Sequence, residues 1–143
     1  MEKVSKWDFR FYQIAETVKT WSKDPTTKVG AVIVKDRRII ATGYNGLPSN
    51  ILDDDRILNR SWKINVVIHA ECNALFNAAR SGNSVEGSSI YVTMFPCSNC
   101  GSAIIQSGIK RVICPSEVPT RWEENIAISK TLFEEAGVEV YAF

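Results

Sequence analysis

The feature that most constrains this chain is a regular alternation of β-rich and helical segments behind a single hairpin. Val29 to Val34 and Ile39 to Tyr44 are short β-rich runs flanking the polar turn Lys35-Asp36-Arg37-Arg38, which predicts an antiparallel pair with both strands largely buried. Downstream, helices are expected over 70–80, 97–107 and 123–136, separated by strands over 89–93, 111–114 and 138–141. Such an order implies one mixed sheet whose later strands run parallel through right-handed crossovers, with helices packed on it. Ahead of the hairpin, Trp7, Phe11, Ile14, Ala15, Val18 and Trp21 recur at helical spacing, and Asp24-Pro25 closes that helix. The stretch from Asn45 to Asn65 contains Gly46, Pro48, Asn50 and the run Asp53-Asp54-Asp55; it predicts a long surface loop with a helical turn near 56–59.

A length of 143 residues suits one domain over 1–143, large enough to bury a core without metal or disulfide staples. The net charge of +1, with no basic run, argues against long nucleic acid as a partner while leaving room for a small anion. The segment Met1 to Asp8 has no apolar core or cleavage site, and no apolar stretch approaches the roughly 20 residues of a membrane span, so a soluble, cytoplasmic protein is expected. Its four cysteines, Cys72, Cys97, Cys100 and Cys114, are then expected as reduced thiols.

The chemistry concentrates in two motifs. His69, the one histidine, stands in His69-Ala70-Glu71, and Pro96-Cys97-Ser98-Asn99-Cys100 follows after a helix and a strand. Hydrolytic zinc sites use three protein ligands and keep a fourth position open, and His69, Cys97 and Cys100 supply three suitable donors. Both groups fall at expected helix starts, where unpaired amides and the positive end of the dipole favour thiolates. Glu71, two residues from His69, points to another side of the helix, where it can exchange protons with water and substrate instead of ligating. Two rival readings stay open. Cys72 could close a structural site of one histidine and three cysteines in a non-catalytic scaffold, or Cys97 and Cys100 could be a redox pair beside a core histidine. Cys114, in an expected strand, reads as core.

His-x-Glu with Pro-Cys-x-x-Cys is an established zinc-deaminase signature, and most of the chain resembles the cytidine and deoxycytidylate deaminase family, in particular its deoxycytidylate branch. Ser22 to Val34, Gly43-Tyr44-Asn45-Gly46-Leu47-Pro48, His69-Ala70-Glu71, Tyr91 to Cys100 and Ile104 to Lys110 occur in family order. The catalytic motifs identify chemistry, whereas Gly-Tyr-Asn-Gly-x-Pro is characteristic of that branch. The resemblance implies a three-layer α/β/α cytidine-deaminase-like fold around a central five-stranded mixed sheet, with one zinc per subunit. It implies conversion of dCMP to dUMP and ammonia, feeding thymidylate synthesis. Asn45 matches the asparagine that contacts the substrate sugar, Ala70 and Cys97 place main-chain groups near the pyrimidine, and Phe95 shapes the base pocket.

The same likeness implies a homohexamer, activation by dCTP with Mg2+ and inhibition by dTTP. Ser49-Asn50 stand where relatives often carry Arg-Gly, and Val66-Val67-Ile68 replace the usual aromatics before the histidine motif. Lys28, Arg56, Arg60 and Lys63 are the cations available to meet a monophosphate. Deamination of deoxycytidine or of a modified cytosine nucleotide is the alternative within the same chemistry. A tRNA adenosine deaminase is disfavoured by the charge balance.

Overall fold

The computed structural model describes residues 4–143. Met1 to Lys3, part of the segment read above for a leader, lie outside the described residues.

Ser5 opens the first helix, α1 (Lys6–Lys19), through a reciprocal cap: its hydroxyl accepts from the Asp8 amide while Asp8 Oδ2 accepts from the Ser5 amide. Asp8, Phe11, Ala15 and Val18 form its buried face. The helix stops two residues short of the expected end, so Trp21 is exposed and meets Tyr44 edge-on instead of extending that face. Close packing of α1 on the sheet depends on Gly30, where a Cβ would collide with the Ala15 carbonyl.

Strands β1 (Gly30–Lys35) and β2 (Arg38–Tyr44) form the expected hairpin. Asp36 and Arg37, at φ 52° and 59°, make the two-residue left-handed turn that matches strand twist. The sheet order is β2-β1-β3-β4-β5, with β3 (Ser89–Val92) antiparallel to β1, and β4 (Arg111–Cys114) and β5 (Glu139–Ala142) parallel to it in succession. Strand β1 is almost wholly buried, but β2 is not: Arg38 and Ile39 are exposed because β2 is an edge strand.

The stretch expected as loop contains a 3-10 turn (Asp55–Leu58) and a short helix, α2 (Arg60–Val66), capped by Asn59. Helix α2 buries no residue, so it carries no apolar periodicity for a sequence reading to detect. Helices α3 (Ala70–Arg80), α4 (Ser98–Gln106) and α5 (Glu123–Ala136) complete the chain.

Alternation along the strands divides the core in two. Val32, Val34, Tyr91 and Ile113 face α1 through Phe11, Ala15 and Val18. Ile33, Ile90, Val92 and Val112 face Ala74, Ala78 and Ile104 of α3 and α4, while Ile126 and Phe133 bring in α5. The result is three layers, helix, sheet and helices. The loop leaving β2 leads to α3 and the short loop leaving β3 leads to α4, and a crevice at strand ends of this kind is where α/β sheets place ligands.

Candidate active site

Each half of the site begins at a helix start whose position is fixed from outside the helix. His69 is the N-cap of α3. Just before it, Ile68 pairs with Gly46 through two backbone hydrogen bonds of 2.8 and 3.1 Å. The first turn of α3 then lies directly on β2, because a Cβ at Gly43 would strike the Ala70 carbonyl and the Ala74 amide. Cys97 is the N-cap of α4 and makes no capping bond with its own side chain. The cap comes from α5: Asn125 Oδ1 accepts from the Ser98 amide at 2.8 Å, and Ser129 Oγ donates to the Cys97 carbonyl at 3.3 Å. Gly101 admits this contact, since any side chain there would run into Ser129.

His69 Nδ1 stands 3.4 Å from both Cys97 Sγ and Cys100 Sγ, and the three donors lie within 4.8 Å of one another. Tetrahedral zinc with ordinary Zn–S and Zn–N bonds requires nitrogen and sulfur about 3.6 Å apart, so the donor set fits that ion in type and spacing. The hydrogen bond from Cys100, together with His69, pulls the Cys97 thiol down to about 4, the ionised form a metal takes. Its hydrogen bond with Cys97 raises His69 to about 9.

Cys72 Sγ is 3.7 Å from Cys100 Sγ but is not one of the mutually close donors. The closed four-ligand site weighed from the sequence therefore lacks its fourth member in this geometry. Cys114 is fully buried in β4, and burial pushes its thiol up to about 12, an inert core residue.

Glu71, 4% exposed, shares the cavity wall with His69 and Cys97. Burial pushes its carboxyl up to about 7, which suits a group that both takes and gives protons at neutral pH. The cavity holds about 520 Å³, and Ala70, Phe95 and Asn45 also line it. Asn45 is anchored, its Oδ1 accepting from the Val29 amide and its Nδ2 donating to the Thr27 carbonyl, each at 2.8 Å. One Nδ2 hydrogen stays available.

Among the cations weighed from the sequence, Arg60 and Lys63 line the cavity; Lys28, exposed between the lining residues Thr27 and Val29, does not, and Arg56 is paired with Asp54. The acidic run serves the loop, with Asp53 bonded to Lys23 and Asp54 capping the 3-10 turn. Arg121, just before α5, also lines the cavity, and sequence reasoning missed it. No local motif marks it, because only the fold returns that segment to the site.

A cleft at the strand ends, with two thiols, an imidazole and a buried carboxyl around one point, defines a metal-dependent hydrolase. Residues 5–116 match the cytidine and deoxycytidylate deaminase zinc-binding region. The chain belongs to the cytidine and deoxycytidylate deaminase family, which are zinc-dependent hydrolytic deaminases. It is 47% identical over 140 residues to an uncharacterized deaminase in the luxG 3′ region of Aliivibrio fischeri, covering 96% of this chain and 93% of that one. It is 39% identical to the deoxycytidylate deaminase of Mus musculus, covering 96% and 80%. The dCMP deaminase of cyanophage S-TIM5, solved in complex with dCMP and dUMP, superposes with a TM-score of 0.78 at 29% identity, covering 99% and 100%. The fold is thus the cytidine-deaminase-like α/β fold. Among the described residues, no helix is long and apolar enough to cross a membrane.

Proposed function

We propose that this protein deaminates dCMP to dUMP and ammonia by hydrolysis, with His69, Cys97 and Cys100 holding one zinc ion and Glu71 moving the protons. The observation that carries the reading is the placement of a buried carboxyl in the same cavity wall as a three-donor metal site. Relatives named deoxycytidylate deaminases add the substrate. Zinc held there supplies Lewis acidity, which makes water a nucleophile at neutral pH. Glu71 takes the water's proton and delivers it to N3 of the pyrimidine, and a second proton passes through the same carboxyl to the amine leaving C4. Phe95 bounds the base, the Ala70 and Cys97 main chain meets its polar edge, and the free Nδ2 hydrogen of Asn45 serves the sugar.

The decisive test follows the ultraviolet change on mixing zinc-loaded protein with dCMP. Wild-type protein is expected to convert it, and Glu71→Gln to lower kcat by about 10³-fold with zinc content unchanged. Zinc-loaded wild-type protein that leaves dCMP and deoxycytidine intact, with and without dCTP and Mg2+, refutes the reading.

We propose in addition that the protein self-associates and answers to nucleotide effectors. Exposed Leu52, Leu58, Ile64 and Phe76 support a homo-oligomer, and light scattering at micromolar concentration should report a mass above one chain. A second cavity of about 400 Å³ beside Gly46 and Pro48, with Arg80 in its wall, supports dCTP activation with Mg2+ and inhibition by dTTP. The dUMP formed would feed thymidylate synthesis.

A further inference from the structure

Three cations line the reaction cavity, Arg60, Lys63 and Arg121, and their surroundings differ. Lys63 Nζ is 3.2 Å from Asp24 Oδ1 and 3.0 Å from Thr26 Oγ1, in a pair whose side chains are 12% and 6% exposed. Asp24 itself caps the following turn, accepting from the Thr26 and Thr27 amides. Burial disfavours its charge, but these amides, the Thr26 hydroxyl and Lys63 outweigh burial and hold its carboxyl below the usual range. Lys63 is therefore committed to neutralising Asp24.

Arg121 and Arg60 are not committed. Arg121 Nη2 donates to Thr27 Oγ1 at 3.2 Å, which aims the guanidinium while leaving four of its five N–H donors free. Neither arginine has an acidic partner within 4.0 Å among the described residues. Asp24 and Glu71 line the same cavity, but neither is paired with an arginine, so two unpaired guanidiniums there favour an anionic ligand group, and their fork geometry suits phosphate oxygens.

Placement makes the assignment specific. Thr27 is the shared anchor: its carbonyl accepts from Asn45 Nδ2, the group that serves the sugar, and its hydroxyl accepts from Arg121. Sugar contact and guanidinium are thus one residue apart, the order in which a nucleoside 5′-monophosphate presents sugar and phosphate.

We propose that Arg121, supported by Arg60, is the residue by which this enzyme selects a nucleoside 5′-monophosphate over the free nucleoside, and that Lys63 has no part in that selection. The inference rests on the deaminase reading above. Arginine in these roles replaces Lys28, whose side chain does not reach the cavity wall.

The test compares kcat/KM for dCMP and deoxycytidine in zinc-loaded wild type, R121Q, R121K, R60Q and K63M, alongside calorimetric binding of dUMP. Melting temperature and zinc content show whether each variant is folded. R121Q is expected to lower the dCMP-to-deoxycytidine ratio by about 30-fold, chiefly through KM, and to weaken dUMP binding by a similar factor, as loss of one charged hydrogen-bonding pair requires. R60Q should lower the ratio by less, R121K should restore part of it, and K63M should keep the ratio while lowering the melting temperature. Equal losses on both substrates in R121Q, or an unchanged affinity for dUMP, overturn the assignment while the deaminase reading stands. Wild-type protein that deaminates neither substrate overturns both.

Discussion

Cys72 shows how finely the site discriminates between similar atoms. Its sulfur touches that of Cys100, yet only Cys97, Cys100 and His69 come close enough together to share an ion. Cys72→Ala is accordingly expected to retain one zinc per chain, whereas Cys97→Ala should retain almost none; atomic absorption on dialysed protein measures both. Loss of zinc from Cys72→Ala would restore the four-ligand scaffold. At this scale the sequence is most legible where chemistry demands particular residue types at fixed spacing: His69 and the pair Cys97 and Cys100, far apart in the chain, bring their donors within 4.8 Å of one another. It is least legible for the cations. A lysine or arginine reads alike whether it is free, as at Arg121, or paired, as at Lys63, and only the folded partners tell them apart.

Among the elements, α3, α5 and β4 occupy the residues their patterns predicted, because Gly137 in the left-handed region stops α5 and Ser81-Gly82 ends α3. Helix α2 escaped notice because it contributes nothing to the core. Helix α4 is capped at its N-terminus from another helix, so no local motif announces the partner. Asn125→Ala removes the acceptor for the Ser98 amide and is expected to cost about 1 kcal/mol of stability. Through Cys97, it should also weaken zinc binding by about tenfold, as read by competition with a chromogenic chelator. Unchanged zinc affinity with reduced stability would separate the cap from the metal site.

For the whole molecule, the far side of the sheet from the site is closed by a buried polar cluster. Asp8 of α1 accepts from Tyr91 of β3 at 2.6 Å and pairs with Arg111 of β4 at 3.2 Å. Burial works against the Asp8 charge, but the Ser5 amide, Tyr91 and Arg111 together hold its carboxyl below the ordinary value. Its folded-state pKa therefore lies below its unfolded one. The stabilisation is fully present above about pH 4, the unfolded carboxyl value, and is lost as pH falls through the lower folded value. Asp8→Asn should cost about 3 kcal/mol at pH 7, because it leaves the half-buried Arg111 with only a 4.0 Å acidic contact, to Glu139. The deficit should shrink toward pH 3, as measured by urea unfolding at both pH values.

The division of the donors between two helix starts, with β3 between them, also orders events during synthesis. The β1–β2 hairpin and the α3 segment emerge while Cys97 and Cys100 have yet to be made, and β3 must find a β1 strand some 60 residues behind it. In the folded chain His69 lies 3.4 Å from both thiols, on a sheet where β3 pairs with β1. The complete donor set exists only once Cys100 has been made, 31 residues after His69.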